Sequence, residues 1–287
     1  MVFKFLLGIR ARPGKIGLDF PAKTRTLMAP TSLSPLRYPG GKSRAVSILE
    51  TLLLQEYPTQ KTLLSPFLGG GSFELFLLRK NYTVLANDRF TPLYTFWKML
   101  KEQPAALQTA VRRYKPMSKE LFQSLRQSIQ TDTDELTIAA KYFAINRSSF
   151  SGATFCGGYS SESGEKRFTE SSIEKLGTFT LPNFSISNLD WTTFLQNHPQ
   201  TASTVLYLDP PYYISTYLYG RDGDLHEGFD HEAFATEIKK RSDWILCYND
   251  CEYIRNLYKD CRIQKVNWSY GMNAKKESSE ILILPPK

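Results

Sequence analysis

The feature that most constrains the fold is a short apolar strand followed by a glycine turn, a helix and a second strand that ends in an acid. Residues 62–65 form the first apolar run, three glycines occupy 69–71, and residues 83–86 form the second run, just before Asp88. This order is typical of a βαβ unit whose glycine turn approaches a dinucleotide or S-adenosylmethionine while the acid accepts hydrogen bonds from ribose. Position 74 is Glu74, so the spacing departs from Gly-x-Gly-x-x-Gly, and a purely structural turn remains an alternative.

The rest of the pattern extends this unit into one α/β sheet with a helical insertion. Further strands are predicted at 184–187, 204–208, 244–248 and 281–284, and helices at 43–57, 72–79 and 230–240. Residues 93–145 are helical and more polar, with one buried helix at 136–145, and residues 146–168 read as a long loop or hairpin. We therefore predict a sheet whose chain is interrupted by an insertion at about 94–180.

The sharpest chemical signal directly follows the predicted strand 204–208. Asp209, Pro210, Pro211 and Tyr212 come next, and two consecutive prolines impose a rigid, extended exit from the strand. Ligands of open α/β sheets bind at the carboxyl ends of the strands. There the Asp209 carboxylate and the Pro210 carbonyl can accept both N–H groups of an amino group on a planar base, while Tyr212 stacks on the ring. A structural turn is the alternative interpretation.

A second glycine turn precedes the first predicted helix. Residues 37–43 read Arg-Tyr-Pro-Gly-Gly-Lys-Ser, and the last three imitate the end of a P-loop. A P-loop requires glycine at position 36, which is Leu36, so a P-loop ATPase is disfavoured. The turn and Lys42 instead suit a carboxylate or a phosphate, unless Lys42 only lies on the solvated start of the helix.

Net charge and cysteine usage limit the classes of partner. The formal net charge is +8, which points to nucleic acid, but +5 of it lies within 1–27, a segment we interpret as a flexible basic extension before Met28. A hydrophobic content of 41% excludes a wholly disordered chain, and no apolar run approaches the ~18 residues of a membrane span. The four cysteines lack Cys-x-x-Cys spacing, so we expect no metal site and reduced thiols in the cytoplasm.

Taken in order, these motifs resemble those of the Dam-type N6-adenine DNA methyltransferases. The shared series is Tyr-Pro-Gly-Gly-Lys at 38–42, Pro-Phe-x-Gly-Gly-Gly at 66–71, an acid after the next strand, an insertion, and Asp-Pro-Pro-Tyr at 209–212. Residues 146–152, Asn-Arg-Ser-Ser-Phe-Ser-Gly, are similar to a family signature within the insertion, and 275–283 are similar to the basic approach and last strand of the family. The resemblance covers about 34–284.

The resemblance implies a Rossmann-like, S-adenosylmethionine-dependent methyltransferase sheet with an inserted, mainly helical DNA-recognition domain. The implied domains are 28–93 with 181–287 for catalysis and 94–180 for target recognition, and the implied reaction is direct methyl transfer to N6 of a flipped adenine. Residues implied to bind the donor are Tyr38, Gly40, Gly41, Lys42, Phe67, Gly69, Gly71 and Asp88, with Asp190 as a further candidate or an ordinary helix cap. Asp209, Pro210 and Tyr212 would hold the adenine. The family usually has an acid before Pro-Phe, whereas this chain has Ser65.

The expected partner is double-stranded DNA, bound by a monomer or a weak dimer. Candidate DNA-binding residues on the insertion and near the last strand are Arg112, Arg113, Lys115, Arg126, Asn146, Arg147, Lys166, Arg167 and Lys275, although a solvated face also explains the helical charges. Two alternatives stay open. One is an amino-methyltransferase acting on RNA or on protein glutamine, and the other is a catalytically silent DNA-binding relative, which only Ser65 supports.

Overall fold

A computed structural model describes residues 33–213, 228–266 and 280–287 of the chain. Two predictions concern residues outside these ranges. They are the interpretation of 1–27 as an extension and the DNA-binding role expected of Lys275.

A seven-stranded sheet with strand order β3-β2-β1-β4-β5-β7-β6 forms the centre of the fold. The strands are β1 (Thr62–Ser65), β2 (Thr83–Asn87), β3 (Phe184–Ser187), β4 (Thr204–Leu208), β5 (Trp244–Asn249), β6 (Arg262–Val266) and β7 (Glu280–Leu284). The first five strands pair in parallel, and β7 runs antiparallel between β5 and β6. The chain order reverses between β1 and β4, so their carboxyl ends flank the crevice in which doubly wound sheets bind ligands.

Side chains alternate between two buried cores on opposite faces of the sheet, as the two-residue period of a strand requires. On β4, for example, Val205 and Tyr207 face one core while Leu206 and Leu208 face the other. Apolar residues on both faces mark these strands as interior ones, covered by helices on each side.

The described part of the chain contains eleven α-helices, five of which border the sheet outside the insertion. These five are α1 (Val46–Glu56), α2 (Ser72–Leu78), α9 (Trp191–Asn197), α10 (His231–Ile238) and α11 (Glu252–Leu257). The first two pack against one core, and the last three pack against the other. Helix α2 begins at Ser72, as the predicted helix over 72–79 does, and Gly71 in left-handed conformation holds its N-cap position.

The predicted helical insertion between β2 and β3 is confirmed. It comprises α3 (Thr91–Glu102), α4 (Pro104–Arg112), α5 (Lys119–Ser128), α6 (Glu135–Ser148), α7 (Ser161–Lys166) and α8 (Glu170–Gly177). Helix α6 is buried almost all round, as expected of a helix at the centre of a bundle. The segment 146–168, predicted as a long loop or hairpin, is shorter than expected, because α6 extends to Ser148 and the Ser160 hydroxyl caps α7 by accepting from the Ser163 amide. Between these helices, Ser149 and Tyr159 pair in an isolated antiparallel bridge, as in a hairpin.

Across the same described ranges, no helix combines the length and the apolarity that crossing a bilayer requires.

Candidate active site

A cavity of about 420 Å³ opens at the carboxyl ends of β1, β2 and β4. Residues predicted to bind the donor surround it, namely Tyr38, Gly40, Gly41, Lys42, Phe67, Gly69, Gly71, Asp88 and Asp190, together with Asp209. The parallel strands bring these residues, which lie far apart in the sequence, to one edge of the sheet.

The glycine turn after β1 is shaped by two aromatic side chains. Gly69 and Gly71 have φ angles of +50° and +63°, a region that favours glycine. A Cβ on Gly69 would lie 2.9 Å from the Tyr38 ring, and the Trp97 indole donates to the Gly69 carbonyl at 3.1 Å. Because glycine has no Cβ, the turn leaves room for the Tyr38 ring. This contact holds the segment 38–42 against the turn after β1.

Asp88 closes the other side of this turn. Its carboxylate accepts hydrogen bonds from the backbone amides of Gly69 at 3.0 Å and Phe90 at 2.9 Å. Burial raises the pKa of Asp88 to about 6, although both amide hydrogen bonds act to lower it. An acid held at the end of β2 with its pKa close to neutrality is well placed to accept hydroxyl groups.

Lys42 connects the Tyr-Pro-Gly-Gly-Lys segment to the Asp-Pro-Pro-Tyr segment. Its ammonium lies 2.8 Å from both carboxylate oxygens of Asp209, 2.9 Å from the Tyr212 hydroxyl and 3.1 Å from the Gly40 carbonyl. The side chain is only 4% exposed, and the Glu280 carboxylate lies 4.0 Å away. Burial alone would lower the pKa of Lys42, but Asp209 and Glu280 outweigh it and raise the pKa. Since an ammonium has three N–H donors, these acceptors leave none for a further ligand.

Glu74 is a cavity residue whose signal in the sequence is the break that it makes in the glycine spacing. It lies in the first turn of α2, is 2% exposed, and accepts a 2.7 Å hydrogen bond from the Ser65 hydroxyl. Burial raises the pKa of Glu74 to about 7, opposed by the Ser65 hydrogen bond. The acid that the motif lacks at Ser65 is thus present nine residues further on, with Ser65 as its hydrogen-bond donor.

Asp190 combines both roles considered for it. Its Oδ1 caps α9 by accepting from the Thr192 amide at 2.9 Å, and the residue also borders the cavity. Phe67 lies on the same side, packed edge-on against Phe229 and Phe234 with ring centroids 5.7 Å apart in each pair.

The Asp-Pro-Pro-Tyr segment leaves β4 with its residues in different environments. Asp209 and Pro211 border the cavity, while Pro210 is buried. The Tyr212 ring lies 6.1 Å from that of Tyr248, and Tyr213 stacks on Tyr253 at 4.2 Å. Aromatic rings therefore line the exit from the strand, next to the acidic end of the site.

Asn146 was expected to contact DNA, but its side chain is 0% exposed and holds the protein together instead. It accepts from the Arg37 amide at 2.9 Å and donates to the Arg37 carbonyl, the Gly152 carbonyl and the Thr154 hydroxyl. At its other side Gly152, with φ +76°, packs so closely on Arg37 that a Cβ would lie 2.6 Å from the Arg37 carbonyl oxygen. These contacts fix the loop after α6 to the residue before Tyr38.

That loop carries an exposed aromatic ring beside a group of basic side chains. Phe150 is 69% exposed although the segment around it is anchored. Burial, Arg37 and Arg167 together lower the pKa of Arg147 to about 10, so the three guanidinium groups repel one another. An anion placed among them would relieve this repulsion.

The other predicted DNA-binding residues are dispersed over the insertion. Arg112 pairs with Glu170 and Lys166 with Glu162, while Arg113 and Lys115 are exposed. Arg126 donates to the carbonyls of Phe155 and Gly157 and so holds this part of the loop against α5.

No group of three or more histidine, cysteine, aspartate or glutamate side chains within the described ranges is arranged to hold a metal ion. Cys247, Cys251 and Cys261 are free thiols.

Comparison with known proteins assigns this site to a family. Residues 38–272 match the family model described as D12 class N6 adenine-specific DNA methyltransferase, whereas a search of curated proteins found no significant match. The match covers most of the chain and includes both glycine motifs, the insertion and the Asp-Pro-Pro-Tyr segment. The chain therefore belongs to the D12 class of adenine-specific DNA methyltransferases, which transfer a methyl group from S-adenosylmethionine to the N6 amino group of adenine in DNA.

Proposed function

We propose that the cavity at the ends of β1, β2 and β4 binds S-adenosylmethionine on one side and the target adenine of double-stranded DNA on the other. The observation that carries this proposal is that a single cavity is bordered by the glycine turn, Asp88 and Asp209. Its volume suits a nucleoside with an amino-acid arm. When bound, the donor supplies a methyl group attached to a positively charged sulfur.

On the donor side, the chain offers acceptors for hydroxyl groups and apolar walls for a base. Asp88 would accept the ribose hydroxyls, since its carboxylate lies at the end of β2 and next to the glycine turn. Phe67 and Tyr38 would line the pocket, and Gly69 and Gly71 would keep its floor open.

On the adenine side, Asp209 and the Pro210 carbonyl would accept the N6 hydrogens, and Tyr212 would stack on the base. An amino group that attacks a methyl group gains positive charge, and a carboxylate held in place stabilises that charge without reorganising. Asp209 can serve Lys42 and the adenine together, because a carboxylate has about four lone-pair sites. We assign Lys42 to positioning Asp209 and Tyr212, since its three N–H groups are already used.

An enzyme that acts on N6 must remove the base from the duplex. We propose that the loop after α6 performs this task and that the insertion 94–180 recognises the target. Phe150 is an exposed ring on an anchored loop, which is the arrangement needed to fill the space between base steps. Arg37, Arg147 and Arg167 would bind a backbone phosphate next to it.

We further propose that residues 1–27 are a flexible extension and that residues 28–93 and 181–287 form the catalytic domain. We also propose that the protein acts in the cytoplasm as a monomer or a weak dimer. The free thiols Cys247, Cys251 and Cys261 are compatible with a reducing compartment.

The donor role of Asp88 predicts that affinity for adenosine ligands falls in acid. Only the ionised carboxylate accepts both ribose hydroxyls, and its pKa is about 6. The competent fraction therefore falls about tenfold between pH 7 and pH 5, and the dissociation constant should rise by the same factor. Calorimetry with 5′-methylthioadenosine measures this effect without contributions from the amino-acid arm of the donor.

The matched control is Asp88→Asn, which cannot titrate. We expect it to bind 5′-methylthioadenosine about tenfold or more weakly at pH 7, to lose the pH dependence, and to retain its affinity for DNA. A variant that binds DNA much less well but the nucleoside normally would contradict the ribose role.

The wedge role of Phe150 predicts a defect confined to DNA. Removal of one stacking contact costs about 1–3 kcal/mol, so Phe150→Ala should raise the KM for unmethylated genomic DNA about tenfold or more and leave the KM for the donor unchanged. Initial rates of methyl transfer at varied DNA and donor concentrations separate these two effects. Leu54→Ala, a change of another exposed apolar side chain (46% exposed) on α1, should alter neither. Equal KM values for DNA in the two variants would exclude the wedge.

A further inference from the structure

Glu74 is a buried acid in the wall of the donor cavity to which the family comparison assigns no role. It is 2% exposed, and in the described chain no ion pair involves its carboxylate. A carboxylate in such a place is costly to bury without a cationic partner. Lys42 is a buried cation that borders the same cavity, but its N–H groups are bonded to Asp209, Tyr212 and Gly40.

We propose that Glu74 binds the α-ammonium group of the donor's methionine arm. This inference rests on the proposed donor pocket and names the chemistry that recognises one end of the ligand.

The ammonium group is the better of the two cationic groups on the donor for this acid. It carries three N–H donors that need acceptors when removed from water, whereas a sulfonium carries charge but no donor. A carboxylate that accepts one hydrogen bond from Ser65 keeps lone pairs on both oxygens for such donors.

Ser65 is the positioning residue for this contact. It ends β1, is fully buried, and its hydroxyl lies 2.7 Å from the Glu74 carboxylate across the glycine turn. The hydrogen bond fixes the Glu74 rotamer toward the cavity that both glycine motifs border. Ser65 and Glu74 together thus supply the negative charge that an acid before Pro-Phe would otherwise carry.

Charge balance in the cavity supports the assignment. Asp209 and Glu280 lie within 4.0 Å of Lys42, and Glu74 borders the same cavity as Lys42, so three carboxylates face one lysine and carry an excess of negative charge when they are ionised. A ligand with a positively charged arm at Glu74 offsets this excess, because opposite charges attract strongly where water is excluded.

The test is a ligand series measured by calorimetry at pH 7.5 with the full-length protein. S-Adenosylmethionine and S-adenosylhomocysteine both carry the α-ammonium, whereas 5′-methylthioadenosine lacks the whole amino-acid arm. Glu74→Gln keeps the shape of the side chain and removes its charge. It should weaken the first two ligands about 10- to 100-fold and change the third less than about twofold, as expected for one charged hydrogen bond. Asp88→Asn, the control, should weaken all three by a similar factor, because each contains the ribose.

Each alternative result of this ligand series leads to a different conclusion. Loss of affinity for S-adenosylmethionine alone would assign Glu74 to the sulfonium and overturn the proposal, as would an equal loss for all three ligands or no loss. If the unchanged protein bound none of them, the donor pocket itself would be refuted. If Glu74→Gln proves unstable on thermal unfolding, Ser65→Ala replaces it, with an expected loss of about 2- to 10-fold for the two ligands that carry the arm and none for the third.

Discussion

Asp209→Asn is expected to lower the single-turnover rate of methyl transfer to DNA by a factor of about 10²–10³, the usual cost of removing one stabilising group from a polar transition state. Asparagine keeps one acceptor oxygen but loses the negative charge that stabilises N6 as it becomes positive. Rapid-quench measurements with labelled donor and saturating DNA follow the chemical step directly. Binding of S-adenosylhomocysteine should change much less than the rate.

The control for this substitution is Asp260→Asn. Asp260 is an exposed acid that pairs with Lys239 at 2.6 Å, and surface pairs of this kind contribute little. Its rate should equal that of the unchanged protein. A rate for Asp209→Asn within about threefold of the control would be incompatible with the assigned role, since even one neutral hydrogen bond is worth more.

Lys42→Met is expected to destabilise the protein by about 3–5 kcal/mol. Lys42 is nearly fully buried, pairs with Asp209 at 2.8 Å and lies 4.0 Å from the buried Glu280, so its removal leaves two carboxylates without their cation. In a protein of this size, each kcal/mol lowers the melting temperature by roughly 2–4 °C. Thermal unfolding at constant pH, checked by denaturant titration, measures the loss.

Lys240→Met tests whether this effect depends on burial. Lys240 pairs with Glu237 at 2.5 Å, but its side chain is 64% exposed, so the loss should stay below about 1 kcal/mol. Similar melting temperatures for the two variants would mean that Lys42 is replaceable by an apolar group. The assignment of Lys42 to positioning Asp209 would then lose its energetic basis.

The interior strands could be predicted from the sequence because each is a short apolar run with a clear stop. The runs 62–65, 184–187 and 204–208 match the observed strands residue by residue. By contrast, β6 (Arg262–Val266) escaped prediction because it lies at the sheet edge, where no residue of the strand is fully buried and charged side chains interrupt the apolar pattern. Helix α11 (Glu252–Leu257) is too short to show periodicity.

The order of the motifs identified most residues of the site, but which residues they contact is visible only in the folded structure. Lys42 and Asp209 are 167 positions apart, and no local pattern reveals that they form an ion pair. Asn146 was expected at the DNA because of its signature, whereas complete burial makes it an anchor for Arg37. Glu74 lies among apolar residues of α2, so its type at that position was the one available signal that it faces a cavity.

The same contacts suggest how the two halves of the reaction are connected. Asn146 and Gly152 hold the loop of Phe150 against Arg37, and the next residue, Tyr38, packs on the glycine turn of the donor pocket. The family match assigns DNA as the substrate, rather than RNA or protein glutamine. The loop that we propose to engage DNA and the wall of the donor cavity are thus joined by two adjacent residues, Arg37 and Tyr38.

The central claim, that Asp209 presents N6 of a DNA adenine to the donor pocket, is tested most directly by long-read sequencing of DNA from cells that express the protein. We expect N6-methyladenine at a recurring sequence in cells with the unchanged protein and none above background with Asp209→Asn. Absence of N6-methyladenine in both, which a catalytically silent relative would produce, or equal modification in both, would contradict it.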